Sequence, residues 1–233
     1  MTAAPYRRAL IVGAGVGLGA SLARAFAREC GMRVAVAARR REQLEAMAAE
    51  TGAAPIVADA SNAAAVGALF DAAGPALGGA PDVVVYNASQ RVRGPIAEVD
   101  PEAVARAVDV TAIAAFRVAQ QAVRRMLPDR HGAVLFTGAS AGVKGFAQSA
   151  AFAMGKFALR GLAQSMAREL APQGIHVAHV VIDGAIRPAG VPDDGQDAHL
   201  NPDAIAATYV YLLAQPRSAW SWEIEVRPWL ERF

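Results

Sequence analysis

Apolar residues fall along this chain in short branched runs, each followed by a turn and then by a longer stretch with helical spacing. The first run, from Ala9, passes through glycines to Ala20 and is followed by Ser21–Phe26, which together read as a buried strand, a tight turn and a helix. Met32 to Ala38 is a second strand, with Val34 and Val36 alternating, and it stops at Arg39-Arg40-Arg41 before another helix. Ala53 to Ala58 is a third, ending in Asp59-Ala60-Ser61-Asn62 ahead of an alanine-rich helix to about Leu77. After the turn Gly78–Pro81, the strand Asp82–Tyr86 has no polar residue inside it, as expected of a parallel sheet covered on both faces.

The second half keeps the same rhythm. Past the loop Arg93-Gly94-Pro95, Pro101 opens one long helix to about Leu127, where Pro128 ends it. Ala133–Phe136 is a strand running into Thr137-Gly138-Ala139-Ser140, and a helix follows from about Ser149 to Leu170, stopped by Pro172 and Gly174. Ile175–Ile182 is another strand. Asp183 to His199, rich in Gly, Pro and Asp, reads as a mobile loop and the expected lid over a bound substrate. A helix Pro202–Leu213 and a strand near Glu223–Val226 close the chain. The alternation predicts a doubly wound parallel α/β sheet of about seven strands with helices on both faces. Ligands of such sheets sit at the carboxyl ends of strands, where Gly13, Arg39, Asp59, Asn87 and Ser140 all fall, so these residues are expected to converge.

Composition narrows the classes. At 233 residues and 54% hydrophobic content, residues 1–233 suit one well-filled domain. Net charge is only +2 and the arginines are dispersed, which argues against nucleic acid as a partner. Cys30 is the sole cysteine, so no intrachain disulfide forms and a reducing cytoplasm is the expected home. His131, His176, His179 and His199 lack companions at ligand spacing, so no metal is expected. No uncharged apolar stretch beyond the glycine-broken start approaches the roughly 18 residues of a membrane span.

The chemistry concentrates first in Gly13-Ala14-Gly15-Val16-Gly17-Leu18-Gly19. Glycines suit a sharp reversal, the approach of a phosphate to bare backbone, and a helix start that points free N–H groups at that anion. A secretory signal beginning at Arg7-Arg8 is the competing reading, but glycines would break its helical apolar region. Arg39 then stands at the tip of the second strand, where an NAD enzyme usually has an acid for the ribose 2′-hydroxyl and a guanidinium pairs instead with the extra phosphate of NADP. Ala38 and Arg39 are followed by no carboxylate before Glu42, which points to NADP(H).

The spacing G-x-x-x-G-x-G at Gly13, Gly17 and Gly19 resembles that of the short-chain dehydrogenase/reductase family, and the resemblance extends over nearly the whole chain. It implies a Rossmann-like fold, a cofactor seat that also takes in Gly15, Val16, Leu18, Gly184 and Ile186, an adenine contact at Asp59, and an N-A-G-like signature at Asn87-Ala88. Lys156 matches the lysine of the family's Y-x-x-x-K motif, which also holds the nicotinamide ribose. A homo-oligomer, dimer or tetramer, is implied as well, and the alanine-rich long helices would allow close packing across it. The tail with Trp220, Trp222 and Trp229 fits either a subunit interface or packing on the sheet.

The catalytic set departs from the family. Phe152 stands at the tyrosine position and has no proton to give. Ala139 takes the serine position, one residue before Ser140, and Thr111 takes the asparagine position. Two functions follow: an atypical oxidoreductase acting on a small carbonyl, imine or enone, its proton supplied by water, Ser140, Ser149 or Lys156, or a non-catalytic NADP(H)-binding sensor or scaffold. Tyr209 and Tyr211 lie on opposite faces of one helix, so at most one can face a pocket.

Overall fold

The computed structural model describes residues 5–192, 195 and 197–230. Its strands are β1 (Arg8–Val12), β2 (Arg33–Ala38), β3 (Ala54–Val57), β4 (Val83–Tyr86), β5 (Gly132–Thr137), β6 (Ile175–Ile182) and β7 (Glu223–Val226). They form one sheet in the order β3-β2-β1-β4-β5-β6-β7, every neighbouring pair parallel. On one face lie α1 (Leu18–Arg28), α2 (Arg41–Thr51) and α7 (Pro202–Leu213), which bury Phe26, Leu44 and Tyr209. On the other lie α3 (Ala63–Leu77), α5 (Ala114–Met126) and α6 (Ala150–Leu170), with Phe70, Val118 and Leu159. Covering on both faces explains the uninterrupted apolar runs: every residue of β4, β5 and β6 is buried.

Chain order reverses between β1 and β4, which are adjacent although β2 and β3 separate them in sequence. A crevice opens at the carboxyl ends of strands where the connections diverge to opposite sides, and this is where a ligand fits. Asp82, just before β4, is buried and accepts from the Arg7 and Arg8 amides at 3.0 and 2.8 Å, locking the start of β1 to β4.

The helix expected from Pro101 to Leu127 is interrupted. α4 (Pro101–Val108) passes through a π-helical turn, Asp109–Ile113, before α5 begins. A π turn leaves a carbonyl outside the regular ladder; here Val110 O accepts from the Tyr86 hydroxyl. Nothing in Asp109-Val110-Thr111-Ala112-Ile113 marks such a turn, because its partners lie on β4 and on the loop after it.

The tail is mostly packing. Trp220 stacks flat on His176 with ring centroids 4.7 Å apart, Trp222 joins the core on the α5 and α6 side, and Trp229 is 77% exposed. Tyr209 is buried and shares a 2.8 Å hydrogen bond with Thr137 Oγ1, whereas Tyr211 is exposed. The expected lid is tied at its base, where Ile186 bridges Leu200 and the Arg187 amide donates to Leu200 O. Residues 193, 194 and 196 of that lid lie outside the described residues.

Candidate active site

Between β1 and α1 the chain has to turn against the end of β4. Gly13 does so at φ +85°, and a Cβ there would sit 2.3 Å from Ala88 N, so the backbone itself requires glycine. The Asn87 side chain donates to Gly13 O at 3.0 Å and fixes the approach. Gly15 and Gly17 differ: a Cβ at either would meet nothing within 4 Å. Their bareness serves no contact within the protein and leaves an open cradle. α1 starts beyond Gly17 with no side-chain cap and no acid in its first turn; the Ala20 amide turns back to Gly15 O and Gly17 O, which leaves the Leu18 and Gly19 amides to an anion. Leu18 and Gly19 line the cradle, while Val16 projects to solvent.

Two cavities meet at this loop. One, of about 670 Å³, is bounded by Arg39, Arg40, Gln43, Asp59, Ser61 and Ala88. The other, of about 590 Å³, runs from Gly17 and Leu18 past Thr137, Gly138, Ala139, Phe152 and Lys156 to Gly184 and Ile186. Gly13, Gly15, Asn87 and Ser89 line both, so they form one continuous cleft. Asp59 accepts from the Ser61 amide and hydroxyl at 3.0 and 2.7 Å, which hold its carboxyl below the usual carboxylate range, and Arg39 adds to the effect.

Lys156 is 2% exposed and its Nζ donates to Thr137 O at 2.6 Å. Burial pushes its ammonium down to about 7, and the Arg91 charge pushes in the same direction. Phe152, one turn earlier, clusters with Ala139 and Ala141. The Arg91 guanidinium carbon lies 4.3 Å from the centre of the Phe152 ring, and Lys156 Nζ lies 5.7 Å from it.

Two expected reacting groups do not line the cleft. The Ser140 hydroxyl donates to Ile182 O at 3.4 Å and bonds Asp183, because a 3₁₀ turn, Ser140–Gly142, begins there and carries the side chain towards β6. Its neighbour Ala139 forms the wall instead. Thr111 is fully buried in the π turn, where its Oγ1 accepts from the Gln90 amide at 3.2 Å. Gly155 allows this packing, since a Cβ there would come 2.8 Å from Thr111 Cβ. Thr111 therefore positions the loop after β4.

Sequence reasoning missed Arg91, Arg187 and Thr137 as cleft residues, and Gln43 beside Arg39. Arg91 had a signal, for it follows closely on Asn87 at the carboxyl end of a strand. A second missed feature is the buried His179, whose Nδ1 lies 3.0 Å from Glu223 Oε2 while Arg160 grips both oxygens of Glu223 at 2.7 Å. Desolvation pushes His179 down to about 4 despite that carboxylate, so the ring is neutral at pH 7. Among the described residues, no group of three or more His, Cys, Asp or Glu could hold a metal ion, and no helix is long and apolar enough to cross a membrane.

Residues 7–199 match the family described as short chain dehydrogenase. D-erythrulose reductase of Gallus gallus is 34% identical over 173 residues, which cover 73% of this chain and 68% of the reductase. The crystal structure of a short-chain dehydrogenase from Rhodopseudomonas palustris is 36% identical with a TM-score of 0.80, covering 97% of this chain and 100% of that one. A metagenomic short-chain oxidoreductase solved in complex with NADP is 28% identical with a TM-score of 0.83, covering 97% and 98%.

Proposed function

The chain belongs to the short-chain dehydrogenase family, and we propose that it is an NADP(H)-dependent oxidoreductase, with residues 1–233 as one domain, acting on a small carbonyl, imine or enone. The observation that carries this reading is the continuity of the cleft from Arg39 and Asp59, through the glycine cradle, to Lys156. A dinucleotide fits those residues: Gly15, Gly17, Leu18 and Gly19 for the pyrophosphate, Asp59 and Ala88 for the adenosine end, and Arg39 with Arg40 for a 2′-phosphate. Asn87, Lys156, Gly184 and Ile186 would hold the nicotinamide riboside. The cofactor supplies a hydride when bound.

The chain's own residues then have to manage one proton. Lys156, with its ammonium pushed down to about 7, holds that proton at Nζ near neutral pH and can release it to a substrate oxygen or to an intervening water. Phe152 contributes a wall and no proton. Losing a positioned general acid typically costs about 10²–10⁴ in rate, which favours activated substrates or conjugated double bonds. The second reading, a cofactor-binding sensor or scaffold, draws its support from Phe152 at the tyrosine position and from Ser140 and Thr111, whose hydroxyls do not line the cleft. A steady-state screen of NADPH oxidation over aldehydes, ketones, imines and enones tests the pair. Turnover that disappears in Lys156→Ala supports the oxidoreductase; silence over the whole panel, with activity arising only in Phe152→Tyr, overturns it.

We further propose a homo-oligomer, dimer or tetramer. Ile113, Phe116, Met154 and Phe157 are each about half exposed on the π turn, α5 and α6, an unusual apolar load for two helices on one face of the sheet. Light scattering that reports a monomer at micromolar concentration overturns this assembly.

A further inference from the structure

Resting on the oxidoreductase reading, we propose that the substrate is an oxo acid whose carboxylate is gripped by Arg91. The substrate half of the cleft is lined by Arg91 and Lys156, while no Asp or Glu is among its described lining residues. Among the described residues, no carboxylate forms an ion pair with Arg91, and the charged neighbours it feels are cations, Arg93 and Lys156. Unbalanced positive charge converging on a cavity attracts an anion. The cofactor's phosphates do not answer this need at Arg91, because the cradle for them is the glycine loop, whereas Arg91 lies over Phe152 in the far wall.

Arg91 is exposed, but both its loop and its guanidinium are supported. The loop that bears it is pinned on one side by the Gln90 amide on Thr111 Oγ1 and on the other by the Gly94 amide on Gln148 O. The Phe152 ring supports the guanidinium from below. That contact uses the π face of the ring and no acceptor atom, so the planar fork keeps its capacity for a bidentate carboxylate. Ala139, Phe152 and Ile182 give the cavity an apolar stretch between Arg91 and the backbone of β5 and β6, which suits a short carbon chain behind a flat anionic head. In this arrangement Phe152, which has no proton to give, serves as a platform for the arginine.

The test pairs pyruvate, acetoacetate and levulinate with their methyl esters. Each is titrated calorimetrically into protein saturated with NADP⁺, where no reduction occurs, and each is also assayed for NADPH oxidation. The acids are expected to bind about tenfold or more tighter than their esters, and that ratio to collapse towards unity in Arg91→Met while Arg91→Lys keeps part of it. NADPH affinity of Arg91→Met staying within about twofold of the parent shows that the fold and the cradle are intact. Equal affinity for acid and ester, acid preference surviving in Arg91→Met, or no binding of any acid overturns the proposal. Acid-selective binding without turnover supports the anion site and overturns the hydride-transfer reading. Turnover of esters and acids alike does the reverse.

Discussion

Lys156 Nζ is bound at 2.6 Å to the carbonyl of Thr137, the last residue of β5, and the same Thr137 meets Tyr209 through its hydroxyl at 2.8 Å. A cation from α6 and a phenol from α7, which cover opposite faces of the sheet, therefore converge on one strand end. The lysine is fixed by a neutral oxygen and, among the described residues, has no acid at hydrogen-bond distance, so its charge is exposed to the full effect of burial.

A pH-dependent stability follows. The Lys156 ammonium ordinarily titrates at 10.5 and here at about 7. Between these values the unfolded chain holds a proton that the folded chain lacks, so stability rises with pH across that window. Below about pH 7 both states hold it and the burial penalty is complete. Lys156→Met is therefore expected to raise the Tm of the cofactor-free protein, with the full gain below pH 7 and none above about pH 10.5. Scanning calorimetry from pH 6 upwards checks this; a gain that grows with pH contradicts it.

Restoring the phenol at position 152 is expected to raise ketone-reduction kcat by about 10²-fold or more, since it returns a general acid beside Lys156. Lys156 Nζ lies 5.7 Å from the centre of the present ring, near enough to favour the ionised phenol. The Arg91 platform remains with tyrosine, so acid selectivity should survive in Phe152→Tyr. Stopped-flow measurement of NADPH oxidation separates a gain in the chemical step from a gain in binding.

The glycine loop offers a contrast between fold and ligand. Gly13→Ala places a methyl 2.3 Å from the Ala88 backbone at φ +85°, and is expected to lower stability by several kcal/mol. Gly15→Ala meets nothing within 4 Å and should leave Tm nearly unchanged while weakening NADPH binding about tenfold or more. A large loss of Tm in Gly15→Ala would show that its bareness serves the protein itself.

Much of this arrangement was legible in the residues because it depends on local order. Branched runs such as Asp82–Tyr86 and Ile175–Ile182 announce buried parallel strands, and Gly13 to Gly19 announces the turn, since a strand and a turn each need particular residue types in sequence. What stayed hidden depends on contacts between distant segments. The π turn at Thr111 answers to Tyr86 and Gln90, Ser140 is drawn away by Ile182 and Asp183, and Arg91 acquires meaning only once Phe152 lies beneath it. Periodicity carries none of these, because each is a pairing across the sheet's carboxyl edge.

The cofactor preference can be read at Arg39. Its guanidinium borders the same cavity as Asp59, and it helps hold that carboxyl below the usual range, so the two lie close enough to act on one ligand. A 2′-phosphate seated there gains charge-assisted hydrogen bonds from Arg39 and leaves Asp59 on the adenosine side, whereas a bare 2′-hydroxyl offers the arginine little. Arg39→Asp is expected to weaken NADPH about ten- to a hundredfold with little loss of NADH, and to reduce the salt dependence of NADPH binding. Fluorescence titration of both reduced cofactors, at two ionic strengths, measures these effects. Equal or tighter binding of NADH by the parent protein overturns the preference, since Arg39, Arg40 and Gln43 would then border the cavity without selecting its occupant.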